Sequence, residues 1–220
     1  MMPPTATYED IKAYQHCVEK NKINPHSLPP CPVCCLESSF FKIHAYRERR
    51  FLLIVAMLIQ SVWCSLVRFK CPGCGKTITF YPDFALPHKH YTRQTIIGFA
   101  STCLASDTTY QQGLMTENQV PGYSHSDATL AASSIHRWIT SLASYPRTCR
   151  AALALLLQAS PCAPICRQLA QWRPPASKAR SQPRTLQLIN ARRVALIEAY
   201  FRDTFNVSVF TKLAIACGFG

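Results

Sequence analysis

The chain is expected to be α+β: a small β zinc ribbon followed by a mainly α-helical region that contains a degenerate helix-turn-helix. Three observations carry this expectation. Two Cys-Pro-x-Cys motifs, Cys31-Pro32-Val33-Cys34 and Cys71-Pro72-Gly73-Cys74, are separated by 36 residues. β-formers crowd that interval, among them Phe40, Phe41, Ile43, Tyr46, Val62, Trp63, Val67 and Phe69. From Thr92 onward the apolar spacing becomes helical, with Ile96, Phe99, Ala100 and Cys103 at i, i+3, i+4 and i+7.

The elements follow in order. Residues 1–27 form a leader and a short helix over 7–20, capped by Thr7, with Glu9 and Asp10 at its positive end and Ile11, Tyr14 and Val18 in one stripe. Residues 28–91 form the zinc ribbon. No glycine precedes Gly73, so the turn of its hairpin uses other residues. Part of 51–60 is equally compatible with a helix. After the second motif, Thr77, Thr79 and Tyr81 alternate with Ile78 and Phe80 as a last short strand, which Pro82 and Pro87 end. Residues 92–172 form the helical region, opened by Thr92 as a cap. It contains a long polar loop over 105–127 with a helical turn near Tyr110–Met115, then SSIHRWITSLAS with Ser133 or Ser134 as cap, then helices broken near Ser160-Pro161. Residues 173–185 are a proline-rich basic linker, and 186–220 hold a final amphipathic helix.

Each Cys-Pro-x-Cys motif can curl two thiolates around one ion. Proline presets the turn, and glycine after the second cysteine takes a left-handed conformation. Cys71, Cys74 and Gly75 have all of these features, whereas the first motif carries Cys35 at the glycine position. Four ligands, Cys31, Cys34, Cys71 and Cys74, are expected to hold one structural Zn2+, with Cys35 as a substitute for Cys34. A closed tetrathiolate leaves no open coordination position for catalysis. His44, His88 and His90 read as surface or phosphate-facing residues.

Lysine and arginine total 24 against 11 acidic residues, a net charge of +13. Between Asp127 and Glu198 there is no acidic residue at all. This favours a polyanionic partner. The polar start MMPPTATYED has no secretory h-region, so the 12 cysteines are expected in a reducing, cytoplasmic (nucleoid-associated) setting rather than in disulfides. The apolar run from Phe51 to Val67 is at the short limit for a membrane span, is interrupted by Gln60 and Ser61, and is basic on both sides. No membrane partner is expected.

In SSIHRWITSLAS, Ile135, Trp138, Ile139 and Leu142 turn inward, leaving Ser133, His136, Arg137 and Thr140 to face a DNA groove. Lys70, Lys76, Lys89 and Arg93 are expected to touch phosphates near the ribbon. RFKCPGCGKTITFYPDFALPHKHYT, a capped helix and then SSIHRWI together resemble the N-terminal region of insertion-sequence transposases, over roughly residues 28–145. They are also similar to a domain family of unknown function found in bacterial mobile-element proteins. The resemblance implies a zinc ribbon and a helix-turn-helix that binds the terminal repeats of the element, with a transposase or recombinase as partner. Here the capped helix and the reader lie about 25 residues apart. The three carboxylates of a transposase catalytic domain are also missing, since only Glu198 and Asp203 follow Asp127. No P-loop, GxGxxG, HExxH or nucleophile elbow occurs. The expected protein is therefore a non-enzyme that binds double-stranded DNA, an accessory, regulator or relic of a mobile element. The competing expectation is an assembly module that docks through the ribbon and homodimerises through the last helix.

Overall fold

A computed structural model describes residues 8–105, 108–115, 118–172 and 178–213. Its longest feature is an antiparallel hairpin of β1 (Lys42–Val55) and β2 (Leu58–Lys70), in register from Val55 opposite Leu58 to Lys42 opposite Lys70, with one irregularity between Ile43 and Ala45. The apolar run 51–67 is the distal part of this hairpin, so the helical option for 51–60 is overturned. Among the described residues no helix is long and apolar enough to cross a membrane.

The hairpin turn consists of Ala56 and Met57, both left-handed at φ 48° and 62°. Two positive φ values are what a type I′ turn requires, and Asn-Gly meets that requirement with far less strain. The long ladder imposes the turn on unsuited residues. Replacing Ala56-Met57 by Asn-Gly is expected to stabilise the chain by about 1–2 kcal/mol. Thermal unfolding should then shift upward by about 4 °C.

Two apolar clusters form along the hairpin, both bordered by Tyr14 of α1. Phe51, Leu53, Val62, Cys64 and Leu66 pack with Ile11 of α1 (Tyr8–Glu19) and with Phe84 and Ala85. Nearer the cysteine motifs, Val67 and Phe69 join Val18, Leu28, Phe41 and Ile78. Glu9 and Asp10 occupy the first turn of α1, complementing its positive end; the predicted cap, Thr7, lies outside the described residues. The expected last strand, β3 (Thr77–Thr79), pairs antiparallel with β2. A two-residue strand, β4 (Gly122–Tyr123), pairs in parallel with the tip of β2. Residues 88–92 run along the free edge of β1: Leu52 N–H donates to the His90 carbonyl (2.8 Å), and Thr92 N–H donates to the Leu52 carbonyl (3.3 Å). That edge is thereby covered against pairing with other chains.

The helical body comprises α2 (Arg93–Ala105), α3 (Tyr110–Leu114), α4 (Ala132–Leu142), α5 (Pro146–Ala159), α6 (Pro164–Leu169), α7 (Arg184–Phe205) and α8 (Val209–Lys212). Thr92 caps α2: its carbonyl accepts from Ile96 N–H (3.0 Å), and its hydroxyl accepts from Thr95 N–H (3.4 Å). The helical turn near Tyr110 is α3, closed by a Thr109–Gln112 capping box. The start of α4 differs from expectation. Its N-cap is Ala131, with no side-chain cap, and Ser133 and Ser134 sit inside the first turn.

The last long helix is central rather than appended. Leu188, Ala191, Val194, Ile197 and Phe201 of α7 are buried in one core with Ile135, Trp138 and Ile139 of α4 and Ala152 and Leu156 of α5. One apolar face of the predicted dimer seam packs inside its own chain, while Ile189 and Leu196 of α7 stay exposed. Within the predicted linker, 173–177 lie outside the described residues. Ala179 and Gln182 are buried, and the Gln182 side chain accepts from Asn190 Nδ2 (3.0 Å).

A polar network ties the hairpin module to this body. The Arg93 guanidinium, on a residue 4% exposed, pairs with Glu198 of α7 (2.8 Å) and Asp83 (3.3 Å) and donates to the Asp83 carbonyl (2.7 Å). Arg202 also reaches Asp83 (2.8 Å), while Val209 N–H donates to Glu198 (2.9 Å) and Ser208 N–H to Asp83 (3.0 Å). Arg93 therefore does not face phosphate, because its charge is spent internally. Arg93→Met should destabilise the chain by about 3–5 kcal/mol, since it strands a buried carboxylate. Adding Glu198→Gln should restore part of the loss. Urea unfolding of the single and double variants checks both.

Candidate metal centre and basic surface

The two cysteine motifs fold into matching knuckles. In the first, Cys35 N–H donates to the Cys31 carbonyl (2.9 Å) and Cys31 N–H to the Leu36 carbonyl (2.8 Å). In the second, Gly75 N–H donates to the Cys71 carbonyl and Cys71 N–H to the Lys76 carbonyl, both at 2.9 Å. The pattern demands a left-handed residue after the second cysteine: Gly75 has φ 74° and Cys35 has φ 57°. Cys35 thus plays the conformational part of glycine, against the steric preference of a side chain. Gly73 lets the knuckles close, since a Cβ there would lie 3.3 Å from Cys34 Sγ and 3.8 Å from Cys71 Sγ.

The knuckles converge through β1 and β2, which bring Lys42 beside Lys70 and so set the first motif against the second. Cys31 Sγ lies 3.4 Å from Cys74 Sγ, and Cys34 Sγ lies 3.5 Å from Cys71 Sγ; all four sulfurs fall within 4.8 Å of one another. A disulfide requires about 2.05 Å. A tetrahedral tetrathiolate with metal–sulfur bonds of about 2.3 Å has sulfur–sulfur edges of about 3.8 Å. The four cysteines have the second geometry and can hold one metal ion. Cys35, exposed and turned away by its left-handed backbone, is not one of the four. No histidine joins them either.

The thiols are arranged to share charge. Burial opposes ionisation of Cys31, yet the Cys34 and Val33 N–H groups and the neighbouring sulfurs hold it down to about 6. The Leu36 N–H favours the Cys34 thiolate, but sharing with Cys71, burial and sharing with Cys31 and Cys74 push it up to about 12. Cys74 is also raised: the Lys76 N–H works against this, but sharing with Cys31 and burial prevail. Four thiols this close titrate as a set. A cation at their centre removes the repulsion that prevents all of them from ionising together.

The residues predicted to meet DNA separate into groups. Lys70 and Lys76 are exposed at the metal end of the hairpin, with Lys42 across the ladder from Lys70. Ser133, His136 and Arg137 are exposed on α4. The His136 ring lies against Tyr110 (centroids 5.6 Å apart), and Arg137 folds back to donate to the Ser133 carbonyl and Ser134 Oγ, each at 3.3 Å. Thr140 is half-buried and donates to Gln187 Oε1 of α7 (3.1 Å), so it is held inward rather than offered to a groove.

Lys89 and Arg137, distant in sequence, come together. Partial burial lowers Lys89, and the charges of Arg180, Arg137 and Arg49 lower it further. Burial likewise lowers His88, helped by Arg49, Arg47 and Lys89. Arg49 donates to the Lys89 carbonyl and lies over the rings of Phe51 (5.4 Å) and Tyr81 (6.0 Å). Arg47 and Arg49 of β1, Arg137 of α4 and Arg180 thus lie within electrostatic range of the 88–90 loop. None of these arginines, nor Lys89, is among the described ion pairs, which involve Arg93 and Arg202. Arg50, directly across the ladder from the 64% exposed Trp63, adjoins the patch on the other side of β1. Arg180 belongs to the acid-free basic stretch expected to meet phosphate, but the sequence reading missed Arg47, Arg49 and Arg50. Their signal was the basic run 47–50, which was read only as a flank of the apolar stretch.

A DUF6431 domain covers residues 31–138. This is a domain of unknown function. It starts at the first cysteine of the metal cluster, ends at Trp138 within α4, and runs across the predicted ribbon–helix boundary at 91/92. No link to transposases emerges from it. Comparison with curated proteins and with solved structures returns no match.

Proposed function

We propose that this chain is a zinc-stabilised, non-catalytic protein that binds double-stranded DNA, with the basic surface of β1, the 88–90 loop, α4 and Arg180 as its phosphate-binding face. The observation that carries the reading is the convergence, around the 88–90 loop, of cations that take part in none of the ion pairs among the described residues. Cations held at mutual electrostatic cost are relieved by polyphosphate, and the counterions released on binding add to the gain. The exposed Trp63 beside Arg50, on the other side of β1, adds an aromatic element next to that face suited to sugar or base contact. Four sulfurs within 4.8 Å of one another suit zinc or iron. Zinc is favoured because the cluster serves as a redox-neutral clamp between two knuckles, and its thiolates need no electron transfer to do so. Descent from a transposase DNA-binding region belongs to the same reading and rests on the RFKCPGCGK and SSIHRWI segments.

Fluorescence anisotropy with a labelled duplex tests the proposal. Binding should be tight at low salt, and log K should fall linearly with log salt at a slope that counts the phosphates engaged, about 0.9 per contact. Absence of duplex binding at low salt overturns it.

A further inference from the structure

The hairpin carries an exposed aromatic and cationic strip at the border of the basic patch. Residues directly opposite each other in an antiparallel ladder share a face. The alternation along β1 and β2 therefore puts Leu52, Ile54 and Ile59 on the same side as Glu48, Arg50, Trp63 and Ser65. The first three pack against the helical core. Nearer the cysteine motifs the cover ends. Glu48 and Arg50 are exposed, Trp63 is 64% exposed, and Tyr46, the next residue of β1 on this side, is 49% exposed. The Tyr46 hydroxyl donates to Asn21 Oδ1 (2.6 Å), which holds that ring in place. Tyr46 stands about 13 Å along the strand from Arg50, and Arg50 lies directly across the ladder from Trp63. Two aromatic rings and one guanidinium thus share a solvent-open strip of sheet, with Glu48 in none of the ion pairs among the described residues. The strip meets the phosphate face at Arg50. His90 Nδ1 of the 88–90 loop lies 3.1 Å from the Arg50 carbonyl. Burial and the bond to Tyr123 raise the Tyr91 hydroxyl, while the charges of Arg137 and Arg50 both reach it and work the other way.

We infer that this strip is a stacking platform for unpaired bases, so that the ligand of the chain is duplex DNA continued by a single-stranded extension. The inference rests on the nucleic-acid reading above and names the form of DNA that fits it. In a duplex both faces of every base are taken up by its neighbours, so an indole standing on a sheet meets a base only where the strand is unpaired. An extension leaving the phosphate face beside His90 crosses β1, lays one base against Trp63 and reaches Tyr46 with another, while Arg50 answers a phosphate of the same strand. Rings next to a cation, on the border of a cationic patch, complement a nucleotide in both of its parts, the flat base and the charged phosphate. Every base has a π-face, so the platform selects the structure of a DNA end and not its sequence.

The test is fluorescence anisotropy on the metal-loaded full chain with one labelled duplex, left blunt or extended at its 3′ or its 5′ end by a short thymidine tail or by an abasic tail of the same length. The abasic tail supplies the same phosphates and no bases. For at least one polarity the thymidine tail should bind about tenfold more tightly than the abasic tail, the worth of an aromatic stack. It should also quench tryptophan emission where the abasic tail does not. Trp63 is the most exposed of the three tryptophans, since Trp138 is 5% exposed and Trp172 is half-buried. Trp63→Ala should bind the two tails alike and lose the quenching, and Trp63→Phe should keep part of the preference. Metal content and melting of both variants should match the parent, because the side chain stands in solvent. Two results overturn the inference and leave the nucleic-acid reading intact: thymidine and abasic tails bind alike at both ends, or Trp63→Ala keeps the preference for thymidine. Absence of binding to every probe, the blunt duplex included, overturns both together.

Discussion

Cys71→Ser will abolish metal binding and unfold the N-terminal module. Cys71 is fully buried at the junction of both knuckles and the hairpin, 3.5 Å from Cys34 Sγ. Serine there removes one of four anionic donors and leaves a poorly ligating hydroxyl in an apolar pocket with Phe41, Phe69 and Ile78. Structural tetrathiolate sites supply apparent binding free energies on the order of 10 kcal/mol, as large as the whole stability of a typical domain. Metal analysis should give one zinc per chain for the parent and near zero for the variant, with loss of β-sheet signal and early urea unfolding. Cys35→Gly is the informative control. It relieves a left-handed cysteine at φ 57°, so it should keep the full metal content and gain about 1 kcal/mol. If Cys35→Gly loses the metal while Cys34→Ser keeps it, Cys35 is the ligand and the knuckle assignment is wrong. If Cys71→Ser retains the ion and the fold, no metal clamps these motifs. Iron in place of zinc would be apparent from visible absorbance.

The metal ligands were legible because their chemistry is local. A Cys-Pro-x-Cys turn presents both sulfurs whatever surrounds it, and only the meeting of the two turns required the hairpin. The hairpin itself was half legible. β-branched and aromatic residues marked its base, but Leu52–Met57 and Leu58–Gln60 carry no turn residue, and nothing in their spacing separated strand from helix. Long-range pairing made the choice, overriding the left-handed strain at Ala56 and Met57. Thr92, α3 and the inward stripe of α4 followed from capping and periodicity. The fate of individual cations did not. Arg93 looks like any surface arginine beside a basic loop, and only the approach of Glu198, 105 residues later, buries it. Thr140 was misread for the same reason, since its partner Gln187 lies on α7. Conversely, the 47–50 run gained meaning only when residues 88–92 covered the β1 edge and brought Lys89 to Arg49.

Reversing the charge of Lys89 and Arg137 together will weaken duplex binding more than any other pair of surface substitutions. The two residues come from a loop and a helix 48 positions apart, yet the charge of Arg137 is felt at Lys89. Lys89→Glu/Arg137→Glu puts two carboxylates beside Arg49 and Arg180, so the patch loses two phosphate contacts and closes on itself through new ion pairs. Each lost contact should remove about one from the salt slope. At low salt the affinity should fall by about 100-fold or more, as expected when several phosphate contacts are lost from a largely electrostatic interface. Net charge alone predicts a different pattern. Arg150→Glu/Arg167→Glu changes the total by the same amount, on exposed positions of α5 and α6 that take no part in the patch. That variant should bind within a few-fold of the parent with its slope unchanged. Thr140→Ala should also be silent in binding, because its hydroxyl is engaged by Gln187. Anisotropy titrations at several salt concentrations, on variants whose metal content and melting match the parent, read all three. Equal losses for the two double variants would make the interaction a diffuse response to charge, and an undiminished Lys89→Glu/Arg137→Glu would place the phosphate-binding face elsewhere, with Lys42, Lys70 and Lys76 at the metal end the next cations to reverse.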